Sequence, residues 1–410
     1  MKGGGGSPPD AASPPASSTR SPGPPGPQLL PAPSLRHLKE LSGPFGLFEH
    51  ARGAKARPEC GYCTDDNGRA LALACRAPGD PYAEELAHQS LAFVERAHLG
   101  SGRFRLRQDA GGHWTPEPPS DDAAGRALLG LGVAAATAPW EAVREGAEAL
   151  FVQAAAFRSS WPRAAAYAAL GAAEVAASPH TDRSSRQAAL RLLAETAEHM
   201  PGPARTSGQP AGRPLGPGEA PGRPSGAPGR EDWRWPEARL TYANALLPAA
   251  QLAAGEVLGH EGLVAGGLDL LCWLVEEEWL EGHFSFTPVG GRGPSGPKPA
   301  WDQQPVEAAA MAQACAMALR LSGQDRWQAA LEAALGWWLG RNDGGVLMWD
   351  PATDGGYDGL GPAGVNTNQG AESTIAFVGA MALAQAQAFS ASSRLGTEAV
   401  AAPTQRSAAP

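Results

Sequence analysis

The chain is short of cysteine, histidine, net positive charge and long apolar runs, and each shortage removes a class of function. Five cysteines in 410 residues are an odd number in a long chain and imply no disulfide framework. Cys60 and Cys63 form CGYC. No second Cys or His pair follows at metal-site spacing and no thioredoxin-like strand precedes it, so neither a zinc centre nor a redox pair is expected. Neither His50 nor His113 has a second histidine three or four residues away, and no metal or cofactor is expected. With 33 Lys and Arg against 42 Asp and Glu and a net charge of -9, no basic stripe is available to replace counterions, which argues against a nucleic-acid partner. No charged-then-apolar leader and no run long enough to cross a bilayer is present, so no membrane partner is expected and the cytoplasm is the default location.

What the chain does have is alanine-rich apolar sequence, interrupted by stretches that cannot supply a core. Residues 1–33 and 201–230 are Gly-, Pro- and Ser-rich and read as a disordered leader and a disordered surface insertion. Residues 393–410 read as a disordered tail, which leaves 34–392 as one folded region. Tryptophan (12) outnumbers phenylalanine (10) and tyrosine (5), and beside polar loops it fits both core filling and stacking on the flat apolar faces of sugar rings.

An internal repeat organises the folded region. DDNGRAL at 65–71 and DDAAGRAL at 121–128 are near copies, and each opens an alanine-rich helix. Thr64 or Asp65 is placed to cap the first of them. Strongly apolar helices are predicted to begin near residues 65, 122, 162, 236, 305 and 371. Between them lie more charged helices near 81–98, 140–157, 184–199, 262–279 and 325–339, with 34–42 as part of the sixth. Helices apolar all round are buried and amphipathic ones form a shell, so the alternation predicts an all-α (α/α)6 toroid with an inner and an outer ring. All inner helices then run the same way, and their first turns converge on one mouth.

The residues at that mouth are the candidate site. Carboxylates at inner-helix starts are Asp65, Asp66, Asp121, Asp122, Glu237, Glu307 and Glu372. Asp65 with Arg69 and Asp122 with Arg126 stand four apart in the acid-first order that favours pairing along a helix. Asp66, Asp121, Glu237, Glu307 and Glu372 are freer, and so many acids in one cavity would repel one another without a polyhydroxylated ligand or a counter-charge. Glu237 sits beside Trp233 and Trp235, and Glu307 follows Trp301 and Asp302. Paired carboxylates of this kind suit glycosidic cleavage, one protonating the leaving oxygen and the other activating water or attacking carbon. Asp66 or Glu237 is the expected acid, and Glu307 or Glu372 the expected base. Expected contacts are His50, Tyr62, His113, Trp114, Trp161, Asn244 and Arg341. The glycine-rich loop before the last inner helix, GGYDGLGPAGVNTNQG at 355–370, adds Tyr357, Asp358, Asn366 and Asn368. Asn244 is predicted two turns deeper on the Glu237 helix.

Two other classes fit less well. A prenyl synthase would extend its DD motif to a third Asp and supply basic residues for diphosphate. A toroidal sugar epimerase would place a pair of histidines on inner helices, whereas the histidines here lie mostly outside them.

Taken together, GLFEHA, YCTDDNGRAL (62–71), DWRWPEARLTYANALLP (232–248), QPVEAAAM (304–311), LGRND (339–343) and GGYDGL with GVNTNQGAEST resemble a bacterial (α/α)6 family of the six-hairpin glycosidase type, often labelled glycosyltransferase or glycosyltransferase-associated. The resemblance implies a carbohydrate substrate, glycoside hydrolase, transferase or phosphorylase activity, or a non-catalytic carbohydrate-binding role beside a neighbouring carbohydrate-active enzyme. The transferase label suits the sequence poorly, because no Gly-rich loop follows a strand and no nucleotide-sugar motif is present. WRWPEARL departs from the family pattern in having proline where an aromatic is usual, and the 201–230 insertion precedes it. Both bear on the shape of the mouth and leave its carboxylates in place.

Overall fold

Alanine is the best helix former and the smallest side chain that is one, and the helices follow it. The computed structural model describes residues 30–200, 233–295 and 297–401, with side chains as far as Gln387. The leader to residue 29 and the whole of the 201–230 insertion, with its flank to 232, fall outside these residues. Pro31–Pro410 form one unit.

Its helices are α1 (Arg36–Glu40), α2 (Thr64–Arg76), α3 (Ala83–Ala97), α4 (Asp121–Thr137), α5 (Glu141–Ala154), α6 (Pro162–Ala177), α7 (Arg183–Ala197), α8 (Leu246–Leu258), α9 (Glu261–Glu278), α10 (Pro305–Ser322), α11 (Asp325–Trp338) and α12 (Ala371–Ala401). Helices α2, α4, α6, α8, α10 and α12 each touch the next, and α12 returns to α2, which closes an inner ring. Helices α3, α5, α7, α9 and α11 each pack on the inner helix before them, and α1 packs on α12. The fold is therefore the (α/α)6 toroid. Helix α12 runs to Ala401, past the boundary at 392, and residues 402–410 lie outside the described residues. Among the described residues no helix is long and apolar enough to cross a membrane.

Glycine sets the spacing of the inner ring where α4 meets its neighbours. A methyl on Gly171 would overlap the Leu128 carbonyl, and one on Gly125 would overlap the Ala164 carbonyl. The helices approach until backbone meets backbone, closer than ordinary side chains allow. Proline at the first position opens α6 and α10, where its missing N–H costs nothing. Ser120 caps α4 through its side chain, accepting from Ala123 N at 3.3 Å. Helix α2 differs from expectation at its start. Cys63 holds the cap position without a side-chain bond, and Thr64 instead donates to the Arg105 carbonyl at 2.7 Å.

One predicted inner helix begins later than its sequence suggested. Residues 236–245 form a stitched loop, and α8 starts at Leu246. Leu240 pairs with Arg292 as an antiparallel bridge. Ala243 has φ 45°, which a helix cannot contain, and Thr241 N donates to Asn244 Oδ1 at 3.0 Å. Glu237 is thus on a loop, and Asn244 precedes the helix.

The two faces of the toroid are unlike. Connections from inner to outer helices are short, as at 138–140, 259–260 and 323–324, whereas those from outer to inner helices span 98–120, 279–304 and 339–370. Among the described residues, five two-stranded antiparallel ribbons stiffen the long connections. The elaborated face is the one on which inner helices begin, where variable, site-building loops are expected on a rigid scaffold.

Candidate functional site at the inner-helix mouth

Three arginines gather the mouth carboxylates. Arg69, in the second turn of α2, donates to Asp66 Oδ1 at 2.6 Å and to Glu372 Oε2, on the first turn of α12, also at 2.6 Å. One guanidinium charge cannot neutralise two carboxylates, so one of them keeps a proton more readily. Asp66 has a side chain only 4% exposed. Burial, with Glu372 and Glu49 nearby, pushes its carboxyl up to about 7 against the pull of Arg69. Glu372 has a side chain 41% exposed. Burial works to raise its carboxyl, but Arg69 and Arg126 outweigh it and hold it below the usual range. Two acids on adjacent inner helices are thereby driven in opposite directions.

Arg126 serves the neighbouring pair. Its guanidinium lies 3.4 Å from Asp65 Oδ2 and 3.5 Å from Asp122 Oδ2, and near the rings of Tyr167 at 4.8 Å and Tyr242 at 5.9 Å. The Tyr242 hydroxyl donates to Asp122. The Asp122–Arg126 pair is as expected, but Asp65 turns across to α4 and leaves Arg69 to Asp66 and Glu372. Asp66 and Glu372 are consequently paired, not free.

Arg163, at the start of α6, clamps the loop before α8. It donates to both Glu237 oxygens at 2.8 and 2.7 Å, to Asn244 Oδ1 at 2.9 Å and to the Tyr242 carbonyl. Trp235 Nε1 donates to Glu237 Oε2 at 3.1 Å, and Trp233 Nε1 to the Glu237 carbonyl at 2.9 Å. Both indoles also pack on Trp273. Glu307 is buried and accepts from Ala243 N, from Asn244 N at 3.1 Å and from Asn244 Nδ2 at 3.2 Å. Burial pushes its carboxyl up to about 8, although those N–H donors pull the other way. It anchors the loop.

The remaining candidates divide between mouth and frame. Tyr62 is fully buried, stacked on Phe48 with centroids 4.5 Å apart. Trp114 packs on Phe93 and Arg105. His50 lies 3.7 Å from Glu49, and His113 is exposed and 3.4 Å from Asp109. Asp121 accepts from Ser159 Oγ at 2.6 Å, and Trp161, 68% exposed, precedes α6. Trp301 is half-buried, and Asp302 is exposed at φ 68°. Arg341 donates to the Glu332 carbonyl and so closes the end of α11.

In the glycine-rich loop, Tyr357 is half-buried and Asn366 is exposed, accepting from Asn368 N at 3.2 Å. Asp358 accepts from Gly370 N at 2.8 Å, and Asn368 accepts from Gly53 N at 3.0 Å. Gln369 N donates to the Gly53 carbonyl and Ala371 N to that of Glu49. This loop therefore ties the last unit to the first.

Sequence reasoning passed over Arg163, Tyr167 and Tyr242. The repeat carried a signal for one of them. Arg69, Arg126 and Tyr167 each stand five residues beyond the first residue of their inner helix, so aligning the helix starts brings all three to one level.

Glu49, Cys63 and Asp66 bring ligand-type atoms within 4.8 Å of one another. Arg107 already holds Glu49 through both oxygens, at 3.0 and 2.9 Å, Arg69 holds Asp66, and burial with the nearby acids raises the Cys63 thiol. The set is committed to ion pairs and does not fit a cation. Cys60 is free as well.

Inside the ring, below the mouth, lies a cavity of about 910 Å³. All six inner helices line it, with Leu73, Leu129, Leu170, Ala253, Met317 and Ile375 among the side chains. Arg69, Tyr167 and Glu372 bound its upper end.

No family model matches the chain, and neither does any curated protein. Solved structures do match. A sugar epimerase from a ruminal bacterium has a TM-score of 0.59 at 10% identity, over 85% of this chain and 94% of its own. Cellobiose 2-epimerase from Bacillus thermoamylovorans has 0.57 at 10%, over 84% and 95%. A D-mannose isomerase has 0.56 at 11%, over 86% and 95%. At these identities the likeness is one of fold.

Proposed function

We propose that the chain is a carbohydrate-active enzyme whose acid and base are Asp66 and Glu372, and that its reaction is glycosidic cleavage at an oligosaccharide or polysaccharide end. The observation that carries this reading is the Arg69 bridge. It holds two carboxyls on neighbouring inner helices while burial and charge drive one up and the other down, the pattern that assigns acid and base roles. Asp66, with its carboxyl near 7, donates a proton to the leaving oxygen. Glu372, ionised and more exposed, activates water or attacks carbon. Glu237 and Glu307, the other pair expected from the sequence, are occupied in fastening the loop before α8. Asp122 and Tyr242 then present hydrogen-bonding groups to sugar hydroxyls.

A second reading draws on the sugar epimerases and the isomerase whose folds are similar. Epimerisation or isomerisation moves a proton at carbon, which an acid and a base placed in this way also do. Chromatography of products from an oligosaccharide and monosaccharide panel separates the two: cleavage shortens the chain, whereas epimerisation preserves its length. Phosphate-dependent turnover would indicate a phosphorylase. Asp66→Asn and Glu372→Gln are each expected to lower turnover by about 10²–10⁴-fold with calorimetric binding kept. Unchanged product formation in both variants would refute the assignment, and binding without product under every condition would leave a carbohydrate-binding protein.

A further inference from the structure

We infer that the cavity within the inner ring receives a long apolar chain attached to the sugar, making the substrate an amphiphilic glycoside. The inference rests on the proposed function for the position of the sugar, and it names the substrate class.

The cavity is shaped for a chain and not for a second sugar. Its lining runs from Arg69 and Glu372, near the start of α2 and α12, to Arg76 at the opposite end of α2, Arg320 in the last turn of α10 and Gln387 midway along α12, so it extends along the length of the ring. Between those ends the walls are aliphatic, with Gln313 as a polar interruption. A sugar there would leave most of its hydroxyls without partners, at a cost for each buried one, whereas methylenes lose nothing. The volume of about 910 Å³ is at the upper end of the ~300–1,000 Å³ range of ligand sites. Charge returns only at the far end, where Arg76 meets Glu174 at 2.9 Å and Arg320 meets Glu256 at 2.6 Å. Those pairs have side chains 37–47% exposed, so a chain of sufficient length would emerge between them toward solvent. The upper end is the Arg69–Glu372 bridge itself. A glycosidic oxygen held there has its sugar in the mouth and its aglycone pointing down the cavity.

Gly379, in the first third of α12, marks how empty the cavity is. A methyl added to it would find only Leu73 Cδ1, at 4.0 Å, whereas the glycines between α4 and α6 are pressed against backbone. Glycine at that position serves no close helix contact, yet a mid-helix glycine is unfavourable relative to alanine. Its service is the space it leaves.

The test uses the full chain and n-hexyl, n-octyl, n-decyl and n-dodecyl glycosides below their micelle concentrations, with n-dodecanol as the sugar-free control, in isothermal calorimetry. Affinity should rise by about fourfold per methylene, dodecanol should bind more weakly than dodecyl glycoside, and Gly379→Leu should flatten the dependence on length. Equal affinity across the series, a length dependence that survives Gly379→Leu, or dodecanol binding as tightly as the glycoside would each overturn the inference. A length dependence seen only after removal of residues 1–29 and 402–410 would assign the cavity to the chain's own ends, and would overturn it too. Glu372→Gln separates this inference from the reading it rests on: it should abolish turnover while the length dependence of binding remains. Length-dependent binding without turnover in the native protein would overturn the enzyme assignment alone.

Discussion

The protonation of Asp66 makes stability depend on pH in a direction opposite to that of an ordinary ion-paired aspartate. Its carboxyl is raised from an ordinary 3.8 to about 7, burial being the main cause. In the folded chain it holds its proton up to about pH 7, while in the unfolded chain it releases it near 4. Between those limits the folded state binds more protons, so stability falls as pH rises. Each pH unit within the window is worth about 1.4 kcal/mol. From pH 5 to 7 Asp66 alone therefore removes roughly 2 kcal/mol, the slope easing as the folded carboxyl titrates. Glu307, raised to about 8 by burial, adds a fall of the same sign that extends one unit higher. Asp66→Asn retains an oxygen to accept from Arg69 and carries no titrating proton. Urea midpoints at pH 5, 6, 7 and 8 should show wild-type stability declining, and the variant declining by roughly 2 kcal/mol less over pH 5 to 7. Identical slopes for the two proteins, or wild-type stability that rises over this range, would refute the assignment of a protonated Asp66.

Other perturbations test the frame. Arg163→Ala leaves the Glu237 carboxylate and the Asn244 and Tyr242 oxygens without their shared donor, and should cost about 3 kcal/mol or more in urea unfolding, with new proteolytic cleavage between 233 and 245. A variant as stable as wild type would show that the clamp is dispensable. Gly171→Ala and Gly379→Ala should move stability in opposite directions. At 171 the methyl strikes the Leu128 carbonyl, and overpacking of about 1–3 kcal/mol exceeds the helix gain. At 379 the methyl meets open space and the gain of about 0.5–1 kcal/mol survives. Thermal midpoints that shift the same way in both would contradict the packing described.

The ring was readable because two kinds of helix alternate, and alanine-rich stretches announced the inner ones at 64, 121, 162, 305 and 371 to within a residue or so. The exception is instructive. Trp235–Pro236 looks like Trp161–Pro162, but alanines follow Pro162 while Glu237, Thr241 and Asn244 follow Pro236. The Asn244 side chain accepts from the Thr241 backbone N–H and so competes with helix formation, while Glu237 is held by Arg163 and Trp235, and the chain turns from 236 to 245 before α8 begins. The pairing of acids was less readable for a different reason. Spacing of four brings Asp65 beside Arg69 on one helix, yet which partner each takes depends on how α2 is rotated against α4 and α12. That rotation is fixed by contacts such as Gly68 against the Arg126 carbonyl, which no single helix encodes.

Two consequences of the same composition meet at the Arg69 bridge. Six helices whose axial side chains are largely alanine, valine and leucine can close a ring but cannot fill its axis, because the distance across a ring of six exceeds what small side chains can span. The cavity thus follows from the sequence that makes the helices. Its upper end is also the place where six positive helix ends converge, which draws carboxylates to it, and carboxylates in turn require arginines if they are to be buried together. Arg69, Arg126 and Arg163 supply that charge, but Arg69 and Arg126 are each shared by two acids, so charge balance at both is incomplete. At Arg69, burial together with that incompleteness pushes the Asp66 carboxyl up to about 7, while the arginines hold Glu372 low against burial, directly above an apolar cavity. A fold stabilised only by fully matched pairs would have no reason to leave that mismatch at the one point where mouth and cavity join.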